Sequence, residues 1–259
     1  MIKRIDKKEA SIADFAKKRQ RLSTTLSSGG DFLNRLFRSD LLLASFGDEL
    51  NGLFAFTVMP NDRYIECMAA LSDRPEAFLE VLDCLKARFK GFTSDWVVNP
   101  RHEAANSALS ASGAEAFSPL FGYILESPKT FPEDKRIKPL SEKTAPEYIL
   151  RHPTDCYWTA QRVIESENFK VFTAFCEEKL AGYIDVRVGK DMSEPYDLNV
   201  FEGFGGKGLK EALLKAAVTA ARSPVFMMTE GESEELSALS AAGFIPKPET
   251  DNITYRIEI

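Results

Sequence analysis

Gly203, Gly205, Gly206 and Gly208 stand between a strand pattern ending near Val200 and a helical pattern with Leu209, Leu213, Ala216, Ala217 and Ala220 on one face. So dense a run of glycine sustains neither element, and the order becomes strand, loop, helix N-terminus. Glycine admits positive φ and carries no Cβ to hold a ligand off. The first N–H groups of the helix lack intrahelical partners and sit at the positive end of its dipole, which suits an anion such as a pyrophosphate. Lys207 adds a point charge beside them. Taken alone, such a cluster is also a flexible connection or an ordinary helix start, so the rest of the chain has to supply the context.

Composition narrows that context. At 259 residues there is room for one large domain or two smaller ones, and 19 Phe suffice for two cores. A net charge of −6 argues against a nucleic-acid backbone as partner, since no basic excess exists to neutralise phosphates. Cys67, Cys84, Cys156 and Cys176 show no CxxC spacing, and MIKRIDKKEA holds no apolar signal segment, which implies a reduced, cytoplasmic protein. His102 and His152 are far apart without cysteines at ligand spacing, so no metal site is expected. The longest apolar runs fall far short of a membrane span.

In chain order the patterning reads as an α/β sequence. IKRI at residues 2–5 is a short strand, KEASIADFAKKRQRL a helix, and a further short helix starts at Asp31. LLLASFGDELNGLFAFTVMP alternates about a turn at Gly47-Asp48 as an antiparallel hairpin, and NDRYIECMAALS is another strand. Asp73 and Pro75 signal the cap and first turn of a helix through RPEAFLEVLDCLKARF. DWVVNP is a strand, Gly113 closes the next helix, and FGYILES completes the half. The order then returns: IKPLSEKTAPEYIL echoes the N-terminus, Gly182 matches Gly52, and Leu239 and Gly243 match Leu109 and Gly113, all at a spacing of about 130 residues. We read an internal duplication with SPKTFPEDK as linker, giving domains 1–128 and 129–259. The position matching the glycine loop in the first half is DRPEAF, where Phe78 and its neighbours would wall off an anion.

The second half resembles the GNAT superfamily of acyl-CoA-dependent N-acyltransferases. Val200-Phe201-Glu202-Gly203-Phe204-Gly205-Gly206-Lys207-Gly208-Leu209 is similar to the family's V-x-P-x-Y-R-G-K-G-I/L run. Ala212-Leu213-Leu214 matches the helix that follows, Ser240-Ala241-Ala242-Gly243-Phe244 the closing x-x-x-G-F, and ITYRIEI the last strand. The resemblance covers residues 136–259 and implies two tandem GNAT-like domains of mixed α/β (α+β) sheet, the first degenerate. It further implies acetyl-CoA as co-substrate, its pantetheine arm along Leu198, Asn199 and Val200 and its pyrophosphate on Gly205, Gly206, Lys207, Gly208, Leu209 and Lys210. The acceptor would be an amine of a small molecule or a peptide; nothing in the sequence bears on the oligomeric state. Two positions depart from the pattern: Gly205 stands at the Arg/Gln position and Lys210 at the last Gly/Ala. Leu239 stands where many members carry a tyrosine acid, and a hydrocarbon donates no proton. A non-catalytic module that binds CoA thioesters, and a relative using an aminoacyl-tRNA donor, are the alternatives, the second disfavoured by the acidic balance.

Other residues have two readings each. Asp197 is a base acting through water or part of a solvated strand face. Asp185 binds an amine or pairs across strands with Arg187 or Lys190. Tyr196 and Trp158 line an acceptor pocket or pack in a core. His102 is a helix-start residue rather than a catalytic base, and Glu232, Glu234 and Glu235 are first-turn charges that favour a helix dipole.

Overall fold

Runs of alternating and continuous apolar residues separated by Gly, Asp and Pro build a chain of short strands with helices between them, described in a computed structural model for residues 1–4, 39–154, 156 and 158–259. The helices expected at KEASIADFAKKRQRL and from Asp31 lie outside the described residues. Two compact units result: residues 1–120 with 249–259, and residues 121–248.

Unit 1 is a sheet of order β1-β2-β3-β4-β5-β14-β6. Its strands are β1 (Ile2–Arg4), β2 (Leu41–Phe46), β3 (Leu50–Met59), β4 (Tyr64–Leu71), β5 (Thr93–Val98), β6 (Glu115–Ala116) and β14 (Ile253–Glu258). Neighbours are antiparallel except β4 and β5, which run parallel where Tyr64–Cys67 faces Thr93–Trp96. Helices α1 (Pro75–Arg88) and α2 (Glu103–Ala111) bury Phe78, Val81, Leu82, Leu85, Ala105 and Leu109 against Phe54, Phe56 and Trp96. Phe54 meets Phe78 edge-on at 5.1 Å between centroids, the arrangement that ring quadrupoles favour. The N-cap of α1 is Arg74 rather than Asp73, with Pro75 in the first turn. His102 caps α2, its Nδ1 accepting the Ala105 N–H at 3.2 Å.

Unit 2 holds two sheets, β11-β10-β9-β8 and β12-β7-β13. The strands are β7 (Phe121–Leu125), β8 (Ile137–Pro139), β9 (Phe169–Cys176), β10 (Lys179–Arg187), β11 (Glu194–Val200), β12 (Val225–Thr229) and β13 (Ile245–Pro246). On one face of β10, Ile184 and Val186 join Leu209, Leu213, Leu214 and Ala217 of α5 (Leu209–Ala220) and Ala238, Leu239 and Ala242 of α6 (Ser233–Ala242). On the other, Tyr183 packs with Tyr148 of α3 (Ala145–Arg151) and Ala160 of α4 (Ala160–Glu165). The period-2 alternation of strand side chains makes this division.

The packing crosses the sequence division at residues 128/129. FGYILES, expected to complete the first half, supplies β7, which pairs with β12 and β13 in unit 2. ITYRIEI, expected as the last strand of the second half, is β14 and pairs with β5 and β6 in unit 1. Arg256 secures it with a two-pronged contact to Asp95, Nε–Oδ1 2.8 Å and Nη2–Oδ2 2.6 Å, while the Tyr64 hydroxyl donates to the same carboxylate at 2.9 Å. Alternation marks both segments as strands, but a strand's own pattern does not name the sheet it joins.

Candidate functional site

The glycine run lies between β11 and α5. The Phe201 N–H donates to the Ala181 carbonyl at 2.9 Å and the Phe204 N–H to Phe201 at 3.0 Å, which turns the chain away from the sheet. Gly203, Gly206 and Gly208 follow at φ of 85°, 71° and 69°, and a Cβ on any of the three would meet nothing within 4 Å. Glycine is required there for its conformation, and the space in front of the loop is open. Gly208 caps α5 without a side-chain hydrogen bond, so the first turn keeps donors available for a ligand. A cavity of about 330 Å3 adjoins the loop, lined by Gly206, Gly208, Glu211, Ser233, Glu234 and Ser237.

The charges around the loop are engaged. Glu234 of α6 accepts the Gly206 N–H at 3.2 Å, and the Lys210 ammonium lies 2.6 Å from Glu232, which holds the Glu232 carboxyl below its usual range. The Lys207 ammonium points at Cys176 Sγ, 3.5 Å away, and its carbonyl accepts from the Arg136 guanidinium at 2.9 Å. In unit 1 the corresponding junction is short: Ser72 Oγ accepts the Arg74 N–H at 3.2 Å and Pro75 brings no N–H at all. Phe78 is fully buried in the core beneath it, so it does not wall the junction off as its position suggested.

Strand β11 leads into the loop with one edge free. Among the described residues its backbone is joined to the β12 side by an isolated parallel bridge just before the strand, Ser193 to Val225, where the Ser193 N–H donates to the Pro224 carbonyl at 2.8 Å and the Ser193 carbonyl accepts from Phe226 at 2.9 Å. Beyond that point no further bridge joins the two strands among the described residues. Because Phe201 bonds across to Ala181, alternation directs the backbone groups of Asn199 and Asp197 toward β10 and those of Leu198 and Val200 toward the unbridged edge. On β10, Gly182 is forced by crowding, since a Cβ there would sit 2.4 Å from the Asn199 carbonyl oxygen. Asp185 faces Asp197 and Val186 faces Pro195, so Tyr196 is the extra residue of a β-bulge. The bulge turns Tyr196 outward to 46% exposure, against a core role.

The two carboxylates that the sequence singles out face each other across β10 and β11 in unlike surroundings. Asp185 is fully buried and pairs with neither Arg187 nor Lys190. Instead the Tyr148 hydroxyl lies 3.0 Å from both its oxygens and His152 Nε2 lies 2.8 Å from Oδ2. His152 Nδ1 is 2.9 Å from the Pro153 carbonyl, which can only accept, so this nitrogen carries hydrogen and the His152–Asp185 contact shares one further proton. Burial pushes the Asp185 carboxyl up despite the hydrogen bonds from His152 and Tyr148. For His152 burial acts downward, but the bonds to Asp185 and Pro153 outweigh it and its pKa is raised. Asp197 is partly exposed, and the buried Tyr183 hydroxyl donates to its Oδ2. Burial first, and Asp197 second, keep the Tyr183 phenol protonated well above its ordinary range. Tyr183 itself is fixed by stacking on His152, with centroids 5.7 Å apart and planes 20° apart.

Beside the bulge, Trp158 and Tyr196 meet at 6.1 Å between centroids, each also against Phe169. Arg187 lies over Tyr196 at 5.8 Å and is paired with Glu194. Leu239 is fully buried in the core. Tyr148 and Tyr183 escaped the sequence reading, and His152 was weighed there only as a metal ligand. The signal available was Tyr148 and His152 at i, i+4, which places both on one helical face. Among the described residues, no three or more His, Cys, Asp or Glu side chains are grouped to hold a metal ion.

Similarity to known proteins lies in the backbone. No family model and no curated protein sequence matches the chain. A GCN5-related N-acetyltransferase from Sphaerobacter thermophilus superposes with a TM-score of 0.68 at 12% identity, over 100% of this chain and 95% of that one. A tandem GNAT protein from the clavulanic acid biosynthesis pathway gives 0.57 at 10% identity, over 100% and 98%. A GNAT-family acetyltransferase from Colwellia psychrerythraea gives 0.56 at 14%, over 99% and 98%. Arrangement of strands and helices is thus shared where sequence is not.

Proposed function

We propose, for a chain with the fold of the GNAT superfamily in tandem, that unit 2 binds a CoA thioester, with acetyl-CoA the simplest case, and transfers its acyl group to an amine. The observation carrying this reading is the free edge of β11 running directly into a loop of positive-φ glycines with open space before it. Leu198 and Val200 offer backbone groups to an extended amide-bearing arm, with Asn199 between them. Gly205, Gly206, Lys207, Gly208, Leu209 and Lys210 offer amides and two ammonium groups to a diphosphate. The fit is conditional on Glu234 leaving the Gly206 amide and Glu232 leaving the Lys210 ammonium.

The chemistry follows from what lies along the strand. Asp197 is three residues before Val200, about 10 Å along an extended backbone. An amine held there attacks the thioester carbonyl: a C–N bond forms, the C–S bond breaks, nitrogen yields a proton through water to Asp197 and sulfur takes one from solvent. Leu239 cannot supply it. Trp158 and Tyr196 form an aromatic wall on the acceptor side, and positioning would provide much of the rate. Asp185, closed off from solvent with Tyr148 and His152, serves as framework and not as base. We further read the acceptor as a small-molecule or peptide amine, nucleic acid and membrane as non-partners, and the cytoplasm as the compartment. Calorimetric titration with acetyl-CoA and CoA tests the reading; no heat of binding and no gain in thermal stability would overturn it.

A second reading is favoured by Leu239 and by the carboxylates on Gly206 and Lys210: a module that binds CoA thioesters without turning them over. Binding accompanied by no thioester loss across a panel of amines would decide for it.

A further inference from the structure

Two loop groups that a diphosphate needs are both held at the N-terminal end of α6, by its N-cap Glu232 and by Glu234 of its first turn. Glu234 accepts the Gly206 N–H at 3.2 Å, and Glu232 holds the Lys210 ammonium at 2.6 Å. These contacts join segments far apart in the chain, and Glu234 also lines the cavity next to the loop. We propose that Glu232 and Glu234 form an internal latch, an acidic pair that occupies the anion-binding loop in the free protein and must withdraw before a ligand's phosphates can enter. The proposal rests on the acyl-CoA reading for the identity of the ligand, but the latch itself is a property of the free chain.

The argument is electrostatic. A carboxylate on a backbone N–H makes a charge-assisted hydrogen bond, stronger than a neutral one, and its charge repels an arriving phosphate. The lysine at position 210, where small residues suit such a loop, is occupied by Glu232 and so does not present a free cation to the ligand. Lys210 is 13% exposed and Glu232 64%, so it is the glutamate that has room to leave. Apparent affinity is then the intrinsic affinity multiplied by the fraction of molecules with the latch withdrawn. The latch therefore sets a threshold: only a ligand with several negative oxygens displaces both carboxylates, while a single weak anion does not.

The test compares the full chain with Glu234→Ala, Glu234→Gln, the pair Glu232→Gln with Glu234→Gln, and Glu126→Gln as a control of equal charge away from the loop. CoA and inorganic pyrophosphate are titrated into each. The expected result is CoA binding tightened about tenfold by either change at Glu234 and further by the pair, with Glu126→Gln as wild type. Where the unaltered chain binds CoA, unchanged or weaker binding in the Glu234 variants would overturn the latch. Hydrogen exchange at the Gly206 amide, measured without ligand, separates the two ideas. If neither CoA nor pyrophosphate binds any protein, the acyl-CoA reading fails; faster Gly206 exchange in Glu234→Ala then still supports the latch, and unchanged exchange removes it.

Discussion

At the scale of single residues, the candidate site contrasts two carboxylates with opposite assignments. Asp197 faces partly outward under the Tyr183 hydroxyl, whereas Asp185 is sealed beneath Tyr148 and His152. Asp197→Asn should lower kcat for acyl transfer by about 10²–10⁴, the range typical of a lost general base, and leave CoA affinity within about twofold. His152→Leu should instead leave Asp185 buried without its partner and cost about 3–5 kcal/mol of stability, read by denaturant unfolding. His152 binds its proton more tightly folded than unfolded. Its contribution is complete below its ordinary value of 6.5 and fades as pH rises through the folded value, so stability should fall on the alkaline side. His152→Gln should flatten that decline, measured as the unfolding midpoint against pH. None of this cluster was visible as a motif, because Tyr148, His152, Tyr183 and Asp185 come from a helix and a strand that only tertiary packing brings together.

At the scale of elements, the junction from β11 to α5 was the most legible part of the molecule. Glycines that tolerate positive φ announce themselves in any sequence, and Gly206 and Gly208 prove to need that conformation. Gly208→Ala should cost about 1–2 kcal/mol through backbone strain alone, since the added methyl meets nothing. It should also weaken CoA binding measured by titration. Gly182→Ala acts differently: its Cβ collides with the Asn199 carbonyl and should displace the very edge on which the ligand arm is proposed to lie, costing about 1–3 kcal/mol in thermal unfolding. The hairpins and the caps at His102, Gly113 and Gly243 were legible for the same reason, each resting on local chemistry. The bulge at Tyr196 was not, because a bulge is a mismatch in register between two strands and no single strand's pattern encodes it. The role of Glu234 was hidden likewise. As a first-turn acid it has an adequate local explanation, and its contact with Gly206 depends on how α6 is placed beside the loop.

At the scale of the whole molecule, the duplication is a reading of matched glycines and leucines, and the backbone is similar to that of a tandem GNAT protein. What repetition in the sequence does not encode is which copy of a repeated sheet a terminal strand joins. Removing residues 249–259 should therefore damage unit 1, exposing the edge of β5 and freeing Asp95 from Arg256, while the CoA affinity proposed for unit 2 is kept. Loss of protection in β5 by hydrogen exchange, with binding retained, is the expected outcome; loss confined to unit 2 would contradict the exchange of strands. The same exchange bears on biosynthesis. A ribosome that has released only the first half of the polypeptide has produced a sheet with a vacancy and a spare strand, and the vacancy stays until Ile253–Glu258 has been made. During that interval the nascent chain presents an unpaired edge to its neighbours, so the yield of correctly assembled protein should depend on elongation speed and on crowding of polysomes more than the stability of either finished unit would suggest.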